Sequence, residues 1–474
     1  MPRGAASHAI LAWRADTRFA AQLARSVRVG RLSGRPSPRQ FVSLPAVKRI
    51  ARFWRHLVID LTPLRRSRDL RRLTAGQLFS VLGAQLTTVA VPFQVYELTH
   101  SSLAVGLASL AQLLPLIAGG LFGGSLADAV DRRTLLLLTQ FLAALCSVGL
   151  AVNADLGPAL WPLFVLPAAA AGFSAATEAG LSAILPNLVG RSDVTSANAM
   201  FQALFQLGLV VGPAIAGLLL AGVGVRFIYW IDAACLAAAV LAAFLMRPQR
   251  PQGTSHPPGL RSIAAGFGYL RGRQVLQGAY LLDINAMVFG MPRALFPALA
   301  ATVFGGGART LGLLYAAPGA GALLGALTTG WVRRVRRQGR TVIVAVIVWG
   351  AAITGFGLVH WLPAALALLA VAGLADVISA VFRNTIIQLS VPDALRGRLM
   401  GVQMAVVTGG PRIGDAESGA VAAAFGTSAS VVSGGLACIA GALVLARLLP
   451  AFTHQKAPAA QRPAETTPAA DAAS

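Results

Sequence analysis

The chain has 474 residues, 56% of them hydrophobic and 12% charged, with a formal net charge of +23 and a mean hydropathy of +0.68. Soluble globular domains carry roughly 25% charged residues, so a water-soluble enzyme of this length is excluded. The apolar residues run on for about 20 positions at a time, enough for a helix to cross a hydrocarbon core. A transmembrane β-barrel, whose strands alternate over about ten residues, is excluded as well.

Residues 1–72 hold 17 Lys and Arg against Asp16, Asp60 and Asp69, so +14 of the net charge sits in one N-terminal arm and nucleic-acid binding is not implied. This arm, residues 1–69, lacks hydrophobic periodicity up to residue 45 and is expected to be largely disordered or a start-site extension. Val47–Ile59 differs, with apolar positions on one helical face and cations on another, a pattern suited to an anionic leaflet.

Twelve spans follow, near 73–96, 102–127, 134–153, 159–183, 197–220, 225–246, 276–299, 310–332, 341–359, 363–390, 399–424 and 429–449. The expected fold is therefore an all-α polytopic bundle of twelve transmembrane helices. A Pro-rich break at 247–275 separates two halves of six spans, 70–246 and 276–449, and an Ala/Pro/Thr tail at 450–474 reads as disordered. The halves look duplicated, because Pro186–Arg191 follows span 4 and Pro392–Arg398 follows span 10, while basic loops lead into both span 3 and span 9.

Short-loop arginines set the orientation. Fifteen fall on one side (132, 133, 191, 247, 250, 261, 271, 273, 333, 334, 336, 337, 340, 396 and 398) and only Arg226 and Arg309 on the other. Both termini and the central loop are thus expected in the cytoplasm, with the protein in the cytoplasmic (inner) membrane. Cys146, Cys235 and Cys438 are isolated within apolar runs, and no metal motif, cofactor loop or nucleophile–base pair appears. Gly319–Gly325 mimics a dinucleotide loop but lies in an apolar helix with no strand before it.

Gly124-Ser-Leu-Ala-Asp128, followed by Arg132-Arg133, places an acid at the end of one span and two cations at the start of the next. This stretch resembles the loop 2–3 motif of the major facilitator superfamily, departing from it at Ala129 and Asp131. The run Gly208-Leu-Val-Val-Gly212-Pro213, continuing to Gly217, resembles a shortened form of the span 5 motif of that superfamily's exporters. Leu185–Arg191, Gly266–Leu270, Leu295–Ala300, Gly312–Ala317, Gly325–Gly330 and Gly414–Ala416, in this order, resemble the enterobactin-exporter subfamily and its siderophore and drug efflux relatives. The resemblance implies a two-times-six helix exporter of a small amphipathic molecule, driven by proton antiport, without an enzymatic step or a cofactor. Its implied partners are substrate, protons and membrane lipid, and it implies a monomer. An importer of the same fold and a non-transporting receptor or scaffold are the alternatives.

Ionisable residues inside spans are costly and mark function by default. Glu178 lies in span 4, Asp283 and Arg293 in span 7, Asp376 and Arg383 in span 10, and Arg412, Asp415 and Glu417 in span 11. Asp376 and Arg383 share a face but sit about 10 Å apart along a straight helix, so they cannot pair directly. Arg412 and Asp415, three apart, are expected to pair and shape the cavity. Glu417, on another face, is then the expected proton carrier. Asp128, Arg132 and Arg133 are expected to control switching at the rim.

Overall fold

The computed structural model describes residues 64, 67–189, 193–249, 268–328, 335–391 and 393–455. The amphipathic segment at 47–59, much of the central loop, Arg191, Arg333, Arg334 and the tail lie outside them. Among the described residues, eleven helices of 20 to 32 residues are long and apolar enough to cross a membrane. They are α1 Arg68–Thr99, α2 Ser102–Ala129, α3 Arg132–Leu156, α4 Pro162–Leu188, α5 Val194–Val223, α6 Val225–Phe244, α7 Gln274–Thr302, α8 Gly307–Leu327, α9 Gln338–Leu358, α10 Leu362–Ser390 and α12 Thr427–Leu448. The twelfth bundle member is α11, Asp393–Phe425, which carries Asp393, Arg396, Arg398, Arg412, Asp415 and Glu417 and is correspondingly less apolar. A short α13, Pro450–Thr453, follows.

Helix ends sit where the chain supplies stops. Ser67 and Ser101 cap α1 and α2 by accepting from the backbone N–H of Leu70 and Ala104. Gly224 and Gly426, with φ of 83° and 91°, make one-residue turns after α5 and α11 at equivalent points of the two halves. A left-handed φ at these turns suits glycine, which has no Cβ to clash.

Packing repeats the same arrangement twice. Helix α6 lies on α1 and α3, α4 on α2 and α3, and α5 on α1; in the second half α12 lies on α7 and α9, α10 on α8 and α9, and α11 on α7. The correspondence reaches single residues. A Cβ at Gly172 of α4 would fall 2.9 Å from the Pro115 carbonyl oxygen of α2, and one at Gly373 of α10 would collide with the Pro318 carbonyl of α8. Between the halves, α2 packs on α11 and α5 on α8, a pair of contacts that exchange when one half is superposed on the other. Each of these four helices carries an interior proline, at 115, 213, 318 and 411.

The loop 2–3 arginines act within the first half. Arg132, 7% exposed, donates from Nε to the Ala127 carbonyl at 3.3 Å and from a terminal nitrogen to the Ala183 carbonyl at 2.7 Å. Arg133 donates to the carbonyls of Ala243 and Phe244, 3.3 and 2.6 Å away, at the end of α6. Cations at helix C-termini satisfy carbonyls that lack intrahelical partners. Asp131 accepts from the N–H of Arg133 and of Gln249. Arg132→Met is expected to lower stability by about 1.5–3 kcal/mol, the worth of a charge-assisted hydrogen bond. Thermal unfolding in detergent measures it, and an unchanged curve would show that water serves those carbonyls equally well.

Candidate translocation site

Two helix breaks build the site. In α2, Pro115 has no N–H to offer the Ala111 carbonyl, and the helix is interrupted at Gln112. In α7, Gly290-Met291-Pro292 ends the first segment at Phe289, one 3₁₀ turn covers Arg293–Leu295, and the helix resumes at Phe296. A break at membrane depth frees backbone groups that must find partners, and it is tolerated only where protein or a cavity supplies them. Here side chains supply them. Trp349 Nε1 donates to the Gly290 carbonyl at 2.8 Å, Tyr315 Oη donates to the Arg293 carbonyl at 3.2 Å, and Asp415 Oδ1 accepts from the Ala294 N–H at 3.2 Å.

Asp415 is 8% exposed, and its second oxygen accepts from Ser109 Oγ at 2.5 Å. This corrects the sequence expectation for α11, since no ion pair joins Asp415 to Arg412 among the described residues. Asp415 is engaged by α2 and α7 instead. Arg412 turns to Gln112 Oε1, 3.4 Å away at the break in α2, and its Nε is buried without a hydrogen-bond partner. The spacing of three put both groups on one face, but partners on neighbouring helices outcompeted the intrahelical pair.

Around these breaks lie two cavities whose walls share Thr88, Arg293 and Tyr315. One is lined by Gln85, Gln206, Pro213, Arg293, Phe296, Trp349 and Asp376 among others; the other by Thr87, Ser147, Asp232, Arg412 and Asp415. Much of the lining is aliphatic or aromatic, with a few polar groups that converge, as in sites for small amphipathic ligands. Toward the face away from the central loop, the halves close on glycine contacts. Gly217 meets Gly312, and Gly106 and Gly419 meet the backbone of Asp415 and Ser102. Toward the central-loop face α11 parts from the second segment of α2, and a methyl group at Gly120 or Gly124 would meet open space.

The other sequence candidates fall into distinct places. Asp283 and Arg383 form an ion pair of 2.8 Å between α7 and α10, with side chains 1% and 4% exposed. As expected, Arg383 is not paired with Asp376, which stands two turns earlier on α10, in the cavity wall. Glu178 is exposed, one turn beyond Ser174 of the cavity lining. Glu417 is half-buried and lines neither cavity. In α5, Gly208 and Gly212 sit against Val81 and Gln85 of α1, while Gly217 and Pro213 meet α8. Asp232, absent from the sequence candidates, is 3% exposed in α6 and lies in the cavity wall.

Comparison with known proteins agrees with this architecture. The profile of the transmembrane secretion effector family matches residues 59–470. The enterobactin exporter EntS of Citrobacter koseri is 32% identical over 396 residues, covering 83% of this chain and 94% of the relative. EntS of Escherichia coli strain K12 is 31% identical over 400 residues, covering 84% and 95%. Among solved structures, a POT family transporter in complex with 5-aminolevulinic acid superposes with a TM-score of 0.66 at 14% identity, covering 82% of this chain and 97% of its own. The nucleoside transporter NupG gives 0.62 at 17% identity, covering 81% and 98%. Twelve long helices in two equivalent halves among the described residues, the cavities between them and these relatives lead to one assignment: the chain is a multi-pass membrane transporter, not an enzyme, and belongs to the transmembrane secretion effector family of the major facilitator superfamily.

Proposed function

We propose that this transporter exports a small amphipathic molecule, siderophore-like or drug-like, across the cytoplasmic membrane in exchange for protons. The observation that carries the reading is the pair of adjoining cavities between the halves, closed by glycine contacts on one face and walled by apolar surface around Arg293 and Asp376 in one and Arg293, Arg412 and Asp415 in the other. Ionisable groups at that depth are costly unless they bind or couple something. The central loop and both termini are cytoplasmic in this reading, from the fifteen-to-two split of loop arginines. The family's enterobactin exporters support export over import and suggest the first substrate to try. The rim residues Asp128, Arg132 and Arg133 serve switching, and each monomer encloses its own pathway.

The test is a deletion strain grown with and without iron limitation. Catecholate and other amphipathic metabolites should build up inside cells and fall in the medium, and the intact gene should reverse both. In energised inverted vesicles, enterobactin uptake should collapse with a protonophore. Uptake that survives the protonophore would remove proton antiport, and unchanged metabolite levels inside and outside would remove export.

A further inference from the structure

We infer that Asp232 is a proton-binding site of the transport cycle, placed in the first half of the molecule and separate from the acids of α7, α10 and α11. The inference deepens the proton-antiport reading and rests on it. Asp232 lies in the middle of α6, 3% exposed, where it can serve as neither an N-cap nor a surface charge. Two hydroxyls donate to its Oδ2: Thr87 Oγ1 of α1 at 2.6 Å and Ser147 Oγ of α3 at 2.7 Å. Its Oδ1 is buried with no hydrogen-bond partner. Among the described residues no arginine or lysine pairs with it.

The sequence makes room for this carboxyl. Gly83 of α1 faces it, and a Cβ there would collide with Oδ1. A buried carboxylate without a cation is strongly disfavoured, so an acid kept in such a place, with a glycine opposite, points to a use. The surroundings set what that use is. On its own helix the neighbouring titratable groups are Tyr229, whose Oη donates to Gln94 Oε1 of α1 at 2.8 Å, and Cys235. The face of α3 adds Cys146 beside Ser147, α1 adds only Thr87 and the glycine, and α5 carries no titratable residue. Asp155 of α3 is committed to Arg226 at 2.9 Å.

Thr87, Ser147 and Asp232 all line the cavity that also holds Arg293, Arg412 and Asp415. A proton can therefore reach Asp232 when that space holds water. Uptake forms an O–H bond on one carboxylate oxygen and removes its charge; release returns the proton to water and restores the carboxylate. In this cavity Arg293 and Arg412 face Asp415 alone when Asp232 is neutral, and two carboxylates when it is charged. The proton on Asp232 thus sets whether the cavity carries excess positive charge or is balanced when substrate enters or leaves.

The experiment uses the full-length protein and its Asp232→Asn variant. In nanodiscs without substrate, pH-difference infrared spectra of the wild type should show the carbonyl stretch of a buried, protonated carboxylic acid. The variant should lack that component while keeping its helical amide bands; a band that survives overturns the assignment. In proteoliposomes loaded with enterobactin, the variant should keep wild-type counterflow exchange but lose proton-driven export to the level of protein-free vesicles. Export against a gradient by the variant, or loss of exchange as well, overturns the proton-carrier role. The infrared arm needs no substrate, so it decides about Asp232 even where enterobactin proves not to be transported. Ser147→Ala, which keeps the carboxyl but removes one donor, should displace the pH midpoint of the band, and an unmoved midpoint counts against the assignment.

Discussion

Arg383→Met is expected to destabilise the second half by about 3–5 kcal/mol, the cost of leaving one member of a buried ion pair uncompensated. Asp283 and Arg383 meet at 2.8 Å between α7 and α10, with side chains 1% and 4% exposed. The pair is embedded in a small network. Arg383 also donates to Ser379 Oγ at 3.1 Å, and Gln403 Nε2 of α11 stands 3.5 Å from Asp283 Oδ2. Removing the guanidinium strands a carboxylate among three helices. Removing both charges, in Asp283→Asn with Arg383→Met, should recover most of the loss, since paired buried charges contribute little net stability over packed neutral groups. Thermal unfolding of the purified variants in one detergent measures both steps. A single variant as stable as the wild type, or a double variant no better than the single, would falsify this reading of the pair.

Gly217→Val should stop transport by holding the closed face apart. A Cβ at Gly217 would fall 2.5 Å from the Cα of Gly312, and one at Gly312 would fall 2.5 Å from the Cα of Gly217. Neither backbone can yield without separating α5 from α8. Overpacking a close contact costs about 1–3 kcal/mol, and a bias of that size shifts a two-state equilibrium roughly 5- to 150-fold. Spin labels at Gly222 and Arg309, on the two sides of this contact, should move apart in the variant while counterflow exchange falls toward background. Unchanged exchange with the labels at their original separation would show that the contact is not part of the cycle.

The fold was legible because a hydrocarbon solvent leaves few options: continuous apolar runs must be helices, and the spans near 73–96 and 197–220 became Arg68–Thr99 and Val194–Val223. The helix ends extend past the apolar runs because caps and interfacial residues continue the helix without raising hydropathy. The two breaks were written in the sequence as Gln112 with Pro115 and as Gly290-Met-Pro292. Hydropathy averaged over a span passes over both. The candidate site was less legible for a different reason. Arg412 and Asp415 are neighbours along one helix, yet Asp415 is held by Ser109 and the Ala294 N–H, 306 and 121 residues away in the chain. Asp232, the one acid within the apolar span 225–246, was visible in the sequence, but nothing local named its partners. Its meaning lies in Gly83, Thr87 and Ser147, which only the packing of α1 and α3 on α6 brings together.

Interior prolines at 115, 213, 318 and 411 fall on the four helices that make the most extensive contacts between the halves. Proline removes one backbone hydrogen bond from the turn before it, so each of these helices is already unlaced at an interior turn. Opening one face and closing the other asks these helices to flex, and at those points the ladder has no rung left to break. The compliance needed for alternation is therefore set by the covalent chain itself, before any substrate or proton arrives.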